Sequence, residues 1–358
     1  MLFFNIDLHV SVISDIADIF KKLGHQVDDW SLSGHYWVMN RTKVNISLGD
    51  GTNLTCGGVC SDEICEKFYN THKDEFEKYD GFIACYPVEF AMLYEKWNKP
   101  IIIVNCIRYE HPTNFGSKLH KRLDEFLKKW NEKKLLWYVC NNKGDQWYTE
   151  YFTGIKSMHI PNLCEYTNCK YTGNKNTFLI HTGSHIENIK SNCMSVDAVR
   201  NDEYRYKWED IYDYAGFIHN PYHNGSMSIF EHYTANIPMF FPSKKFMKQL
   251  FYENKSLQQL TFIKIHKREE PEDLNNPLSL RNPDILQKWL DTCDFYDEEN
   301  MPYIQLFDNW DHMNELLNNV NLKEISNNMC EYNKIRRDRI FNSWTTILNE
   351  ISTTLNKV

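Results

Sequence analysis

This sequence lacks the cysteine patterns that indicate disulfide bonds or a zinc site, and it lacks the acidic motif of a catalytic metal site. It has eleven cysteines, an odd number, and none of them form a CxxC pair. The closest spacings, Cys56/Cys60/Cys65 and Cys164/Cys169, do not match a zinc site. No D-x-D motif follows an apolar strand either. We therefore expect reduced thiols and no catalytic metal.

Long apolar segments are also missing. No uncharged apolar run reaches the roughly 18 residues that a membrane-spanning helix needs. The N-terminal residues Met-Leu-Phe-Phe-Asn-Ile-Asp carry neither the basic part nor the long apolar part of a signal peptide. We expect a cytoplasmic protein without a membrane span.

Positive charge is scarce as well. The formal net charge is -8, whereas non-specific binding of nucleic acid needs clustered lysine and arginine. We therefore expect no nucleic-acid partner. Hydrophobic residues make up 42% of the chain and charged residues 25%, which is typical of a globular protein. A length of 358 residues favours two domains of roughly 150–200 residues each.

Apolar runs alternate with helical patterns along the whole chain. Runs that read as buried strands lie at 2–8, 81–85, 100–106, 135–140 and 177–180, and helical patterns lie between most of them. Runs that are apolar throughout and separated by helices are typical of a parallel sheet covered on both faces. The pattern loosens over 154–173, where we place the connection between two α/β halves.

The stretch 216–243 has the clearest local organisation. A short apolar run at 216–219 leads into the polar turn 223–226, then a helical pattern at 227–235 and a second apolar run at 237–241. This order predicts a strand–helix–strand unit. Backbone N–H groups at the start of its helix would be placed to hold an anion such as a diphosphate.

One nine-residue segment carries a resemblance to a known family. His223-Asn-Gly225-Ser-Met-Ser228-Ile-Phe-Glu231 matches the spacing H-x-G-x-x-S-x-x-E, and so resembles inverting transferases of the UDP-glycosyltransferase type. The resemblance implies that His and Ser contact the diphosphate of a nucleotide sugar and that Glu binds the ribose hydroxyls. The following Ala-Asn236-Ile-Pro is similar to the family's A-x-G-x-P passage, with Asn where Gly is usual.

The resemblance also implies a fold and a reaction. The fold would be GT-B, α/β with two Rossmann-like domains facing a central cleft. We expect an acceptor domain over 1–160, a nucleotide-sugar donor domain over 161–340, and a C-terminal helix over 341–358 that packs back on the first domain. The reaction would transfer a sugar to a glycan hydroxyl by inversion, without a metal. The donor would be a co-substrate, so no cofactor is expected, and the protein would be a monomer or a homodimer.

Candidate residues for the acceptor side follow the strands of the first half. His9 comes directly after the first strand, where the family places its general base, and Asp7 would orient it or act as the base. The alternative for His9 is a ring that satisfies loop backbone. Four further side chains are predicted to bind the acceptor: Ser11, His35, Tyr86 and Arg108.

Candidate residues for the donor side lie in the second half. Those predicted to contact the nucleotide sugar are Gly183, Ser184, Arg205, Lys207, His219, Tyr222, His223, Ser226, Ser228 and Glu231. The alternatives are helix capping for the serines, surface cations for Arg205 and Lys207, and an exposed helix carboxylate for Glu231. The group Arg336, Arg337 and Arg339 is interpreted as a solvated helix face.

Two other functions remain open from the sequence. A sugar-nucleotide epimerase can share this fold and would release nucleotide without an acceptor. A non-catalytic module would bind a glycan or a nucleotide and transfer nothing. Unchanged product formation in His9→Ala and Asp7→Ala would contradict the assignment of the base, and unchanged nucleotide affinity in Glu231→Ala would contradict the assignment of the donor site.

Overall fold

The computed structural model describes residues 1–39, 42–55, 60–181, 189–190, 192–200, 206–263 and 269–357. The chain divides into two compact units. Unit 1 consists of Met1–Asn162 together with Arg339–Val358, and unit 2 consists of Leu163–Asp338. The chain therefore passes between the units twice.

Unit 1 is built on a six-stranded parallel sheet. Its strands, with a small antiparallel pair inserted after the second, are β1 (Leu2–Asp7), β2 (Gln26–Ser31), β3 (Ile46–Ser47), β4 (Asn53–Leu54), β5 (Gly81–Ala84), β6 (Ile101–Asn105), β7 (Leu136–Cys140) and β8 (Met158–His159). The order across the sheet is β2-β1-β5-β6-β7-β8, and β3 pairs only with β4. Every pairing in the six-stranded sheet is parallel.

Helices connect these strands, and three of the four α-helices described here begin at a side chain that caps them. They are α1 (Val10–Lys22), α2 (Asp62–Phe76), α3 (Lys118–Glu132) and α4 (Lys143–Thr153), with 3-10 helices at Tyr36–Met39 and Val88–Trp97. Ser61 accepts a hydrogen bond from the N–H of Ile64 at the start of α2, and Ser117 accepts one from His120 at the start of α3. These caps satisfy N–H groups that the helix itself leaves unpaired.

Unit 2 is built on a second parallel sheet. Its strands are β9 (Phe178–Ile180), β10 (Cys193–Ser195), β11 (Gly216–Ile218), β12 (Met239–Pro242) and β13 (Gln305–Phe307). They lie in the order β10-β9-β11-β12-β13, and all their pairings are parallel. Gly216 is required at the start of β11, because an added Cβ would lie 2.8 Å from the carbonyl oxygen of Pro238.

The helices of unit 2 include one that continues into unit 1. They are α5 (Trp208–Tyr212), α6 (Met227–Thr234), α7 (Lys244–Tyr252), α8 (Pro283–Asp291), α9 (Trp310–Asn319) and α10 (Leu322–Leu355), with 3-10 helices at Glu165–Thr167, Val196–Val199 and Asp294–Tyr296. From Arg339 onward, α10 belongs to unit 1. There the ring of Trp344 lies 5.3 Å from that of Phe20, and Trp137 donates to Glu350 at 2.9 Å.

The expected pair of Rossmann-like sheets is confirmed, because both sheets are wholly parallel. Within the described ranges, no helix combines the length and the apolar character needed to cross a membrane. The cysteines in the same ranges are all free thiols. Asn236 has φ 66°, so it adopts the left-handed conformation that glycine would take at that position.

Candidate functional site

The motif of unit 2 lies at the carboxyl end of β11, where ligands of open parallel sheets bind. A recess there is lined by side chains from the β11–α6 turn and the first turn of α6, together with one residue after β9. The lining residues include His181, His219, Tyr222, His223, Ser226 and Ser228. All but His181 were predicted as donor contacts. The structure therefore brings together residues that the sequence spreads over ten positions.

The recess is small. Its cavity volume is about 10 Å³, roughly the space that one water molecule needs, whereas sites for whole small molecules are roughly 300–1,000 Å³. A diphosphate would therefore lie at the mouth of the recess and not inside it. Tyr222, at 43% exposed, stands at its open side, where an aromatic face is available for stacking.

Hydrogen bonds within the turn fix two of the predicted contacts. The Nδ1 atom of the buried His223 lies 3.0 Å from the carbonyl oxygen of Gly225, so the ring supports its own turn. Ser226 occupies the N-cap position of α6 but makes no side-chain capping bond. Its hydroxyl instead lies 2.9 Å from that of Ser228. Helix capping by Ser226, the alternative from the sequence, is therefore wrong.

Glu231 lies one turn further along α6 and is 5% exposed. The alternative interpretation of an exposed helix carboxylate is therefore wrong. Its carboxylate accepts a hydrogen bond from the hydroxyl of Tyr166. Burial, and to a smaller extent the negative charge of Glu231, raises the pKa of Tyr206 to about 12. Tyr166 was not predicted as a partner of Glu231, because it lies 65 positions before it.

Two buried histidines contact each other at the recess, which His219 lines. The Nδ1 atom of His232 is 3.4 Å from Nε2 of His219, and the His219 ring stacks between Phe217 and Phe241 at 4.5 and 4.6 Å. Burial holds the pKa of both imidazoles below the usual value, and for His232 the pKa falls to about 3. Both rings are therefore neutral near pH 7. His219 can offer a neutral imidazole to the recess rather than a cation.

The remaining donor-side predictions are placed only in part. Lys207 is exposed and precedes α5, outside the lining of the recess. Gly183, Ser184 and Arg205 lie outside the described residues. Their roles stay predictions.

The acceptor-side candidates of unit 1 lie at the carboxyl end of β1. Asp7 is the last residue of that strand and is fully buried. His9 takes the N-cap position of α1 without a side-chain capping bond, and its carbonyl accepts from the N–H of Val12 at 3.1 Å. Burial, with a smaller effect from His35, lowers the pKa of His9 to about 4. Its imidazole is therefore neutral near pH 7 and able to accept a proton. Ser11, in the first turn of α1, is half-buried.

Tyr86 and His111 extend this edge. The ring of Tyr86 lies 6.4 Å from that of His9 in an edge-to-face arrangement. On its other side it stacks on His111 at 5.8 Å, and the Tyr86 hydroxyl lies 2.8 Å from Nδ1 of His111. His35 is exposed and its N–H donates to Ser33 at 3.1 Å. The sequence did not single out His111, which follows β6 in the next strand-to-helix connection.

Arg108 has a strong partner inside unit 1. Its side chain is buried, and Nε lies 2.6 Å from a carboxylate oxygen of Asp145, which is buried too. The guanidinium also lies 5.5 Å from the Tyr148 ring centre. This arrangement makes Arg108 part of the interior of unit 1, and no described contact supports the predicted acceptor role.

A buried polar network that the sequence did not indicate continues from this ion pair. The Asn142 amide donates to Asp145 at 2.6 Å and to Asn141 at 2.9 Å. Asn141 in turn donates to Asn162 at 2.7 Å, and Asn162 to Asp15 at 2.8 Å. The network joins residues that follow β7 and β8 to α1 and α4, and so fixes this end of the sheet.

The interpretation of the arginines on α10 as a solvated face is wrong for Arg336. Its side chain is 0% exposed, donates to Thr234 at 3.1 Å, and lies 5.4 Å from the ring centre of Tyr233. Arg337 is paired with Glu165 at 3.0 Å. The burial of Arg336 depends on α6, and the pairing of Arg337 depends on the segment after Asn162. The local sequence around α10 reveals neither contact.

Within the described ranges, no three histidine, cysteine or acidic side chains are grouped closely enough to hold a metal ion. The arrangement can act chemically in two ways. The recess of unit 2 offers hydroxyls, imidazoles and the start of a helix to an anionic ligand. The edge of unit 1 offers a neutral imidazole as a proton acceptor.

Comparison with known proteins returns only distant similarities. No protein-family model matches the chain, and no curated protein does. Among solved structures, the chain is similar to the calicheamicin glycosyltransferase CalG4, at 8% identity, 98% coverage of both chains and a TM-score of 0.43. It is also similar to the glycosyltransferase SnogD from Streptomyces nogalater, at 10% identity, with 98% of this chain and 99% of that chain covered and a TM-score of 0.44.

A third similar structure is the spinosyn forosaminyltransferase SpnP. It is 10% identical, covers 82% of this chain and 95% of its own, and has a TM-score of 0.38. TM-scores below 0.5 do not establish a shared fold. The function proposed below therefore depends on the residues of this chain alone.

Proposed function

We propose that this protein is a glycosyltransferase that moves a sugar from a nucleotide-sugar donor to a hydroxyl of a glycan acceptor. The observation that carries the proposal is the recess of unit 2. There His219, Tyr222, His223, Ser226 and Ser228 meet at the carboxyl end of a parallel strand, as predicted for a donor site. Glu231 lies on α6, as Ser228 does; it is buried and accepts a hydrogen bond from Tyr166.

In the proposed reaction the acceptor hydroxyl attacks the anomeric carbon of the donor sugar. The new carbon–oxygen bond forms as the bond to the diphosphate breaks, so the configuration at that carbon is inverted. Negative charge grows on the leaving diphosphate. The first turn of α6 is suited to stabilise it through backbone N–H groups and the hydroxyls of Ser226 and Ser228.

The acceptor hydroxyl must lose its proton in this step. His9 is the proposed base, because it follows β1 at the start of α1 and its imidazole is neutral at physiological pH. Its pKa of about 4 makes it a weaker base than an exposed imidazole, whose pKa lies nearer the working pH. The proton would pass from the acceptor oxygen to a ring nitrogen. Asp7, at the end of β1 and fully buried, remains the second candidate for the base.

A ligand screen tests the donor site. Thermal unfolding is measured with a panel of nucleoside diphosphates and nucleotide sugars. A ligand at one hundred times its Kd stabilises the folded state by about 2.7 kcal/mol, or about 5–10 °C for a unit of roughly 150–250 residues. We expect at least one nucleotide to give such a shift.

Two variants make the screen specific. Glu231→Ala should abolish most of the shift, because the ribose contact is removed. Glu315→Ala removes an exposed carboxylate of α9 and should leave the shift unchanged. No shift with any nucleotide, or an equal shift in Glu231→Ala, would contradict the assignment of the donor site.

A further inference from the structure

The segment that follows Asn162 lies along α6. The carbonyl of Leu163 accepts a hydrogen bond from the Thr234 hydroxyl. Further on, Lys170 donates to the carbonyl of Thr234 at 3.2 Å, and the N–H of Tyr171 donates to Ala235 at 2.8 Å. This segment, residues 163–171, is therefore fixed to the helix that carries Glu231 by contacts at both of its ends.

Tyr166 lies between these contacts and reaches Glu231. Its hydroxyl donates to one carboxylate oxygen, and its ring meets that of Trp208 edge-to-face at 5.9 Å. Glu165, next along the segment, is held by Arg337 on α10 at 3.0 Å. The contacts of segment 163–171 with α6 and the pair between Glu165 and Arg337 thus fix the backbone that carries Tyr166.

A buried carboxylate needs such a partner. Leaving a buried charged group without a hydrogen bond costs more than the bond gains when it is made. A carboxylate offers about four acceptor positions on its two oxygens, and the hydrogen bond from Tyr166 takes one of them. Tyr166 can therefore hold the carboxylate in one orientation.

We propose that Tyr166 is a positioning residue for Glu231, which it orients to accept the ribose hydroxyls of the donor nucleotide. This inference rests on the proposed function, because it assumes that Glu231 binds ribose. It adds a residue from outside the nine-residue motif, in the segment that links unit 1 to unit 2. Tyr166 itself makes no contact with the nucleotide in this proposal.

The test compares two probes that differ only in the ribose hydroxyls. Binding of a ribonucleoside diphosphate and of its 2′,3′-dideoxy counterpart is measured by calorimetry to the wild type, Tyr166→Phe, Glu231→Gln and the double variant. We expect Tyr166→Phe to weaken the ribonucleotide on the order of tenfold, the effect of one hydrogen bond to a charged group, and to leave the dideoxynucleotide unchanged. In Glu231→Gln, adding Tyr166→Phe should cause no further loss.

A matched control uses the same segment and the same chemical change. Tyr171 donates its hydroxyl to the carbonyl of Ala215 at 2.9 Å, so Tyr171→Phe also removes one hydroxyl hydrogen bond but leaves Glu231 untouched. Its affinity for the ribonucleotide should equal that of the wild type.

The outcomes separate this inference from the proposed function. Equal weakening of both probes by Tyr166→Phe, no weakening, or tighter binding overturns the positioning role while the donor site stands. A wild type that binds neither probe, or a Glu231→Gln variant that binds the ribonucleotide as well as the wild type does, overturns the ribose assignment and the positioning role with it.

Discussion

Replacement of Arg108 by methionine should destabilise unit 1 strongly. Arg108 and Asp145 are both buried and lie 2.6 Å apart, so the substitution leaves a buried carboxylate without its cation. Breaking such a pair costs about 3–5 kcal/mol. If Arg108 instead bound the acceptor at an exposed edge, the cost would be that of a surface substitution, within about 0.5 kcal/mol.

A double variant tests whether the unpaired charge of Asp145 causes the loss of stability. In Arg108→Met/Asp145→Leu the buried charges are both gone, and an apolar pair can replace them at little net cost. The Asn142 amide still loses its acceptor on Asp145, a loss of about 1–3 kcal/mol. We therefore expect the double variant to be more stable than Arg108→Met by about 2 kcal/mol.

Hydrogen exchange is the suitable assay, since a chain of two units need not unfold in one step. Amide protection is read for β6 and β7, which flank the pair, and for β11 of unit 2, which should not change. Lys156→Met serves as a control, because the Lys156 side chain is 92% exposed in its pair with Glu150 and exposed pairs contribute about 0–1 kcal/mol. A loss below about 1 kcal/mol for Arg108→Met, or a double variant no more stable than the single one, would refute the reasoning.

Two further predictions concern unit 1. The pKa of His9, followed by NMR, should lie near 4, since burial and His35 both lower it. The unfolded state then binds the proton more readily than the folded state, so the free energy of unfolding falls as the pH drops from about 6.5 to about 4. His35→Ala should raise the pKa of His9 only partly toward 6.5. A His9 pKa at or above 6.5 would show that the ring is solvated. Trp344→Ala should destabilise unit 1 by about 3–5 kcal/mol, because the ring is 1% exposed and packs on Phe20. If hydrogen exchange shows unchanged protection of the α1 amides in this variant, the end of α10 does not pack on α1.

Much of the fold follows from local pattern. The run 100–106 is apolar throughout, and the structure has β6 at Ile101–Asn105, fully buried. The segment between the runs 81–85 and 100–106 has a helical pattern, and the structure forms a 3-10 helix there at Val88–Trp97. These segments are predictable because their burial and their periodicity agree.

The helix α4 was missed because its sequence disfavours helix by propensity. Lys143–Thr153 contains Gly144, two threonines and several aromatic residues, and such residues rank low as helix formers. The available signal was Asn142, whose side chain caps the helix by accepting from the N–H of Asp145 at 2.7 Å. Packing of the helix on the sheet outweighs the propensity.

The candidate site also has a part that local sequence predicts and a part that depends on contacts between distant positions. The predicted recess residues, His219 to Ser228, lie within ten positions, so strand–turn–helix spacing was enough to group them, whereas His181 lies in another loop and was missed. The burial of Glu231 depends on Tyr166, and that of Arg336 depends on Thr234, 102 positions away. Contacts at such separations leave no periodic trace in one sequence. The sequence therefore predicted exposure for Arg336 and left it open as the alternative for Glu231.

The most direct test of the proposed function is the release of nucleoside diphosphate from a nucleotide sugar, with and without a glycan acceptor. The sugar used is the one whose nucleotide gives the largest thermal shift, and the product glycan is followed by mass spectrometry. We expect release that depends on the acceptor, one sugar added per nucleotide released, and loss of both in His9→Ala and Glu231→Gln. Release without an acceptor would indicate an epimerase, and binding with no turnover of any sugar would indicate a non-catalytic module; either result would contradict glycosyl transfer.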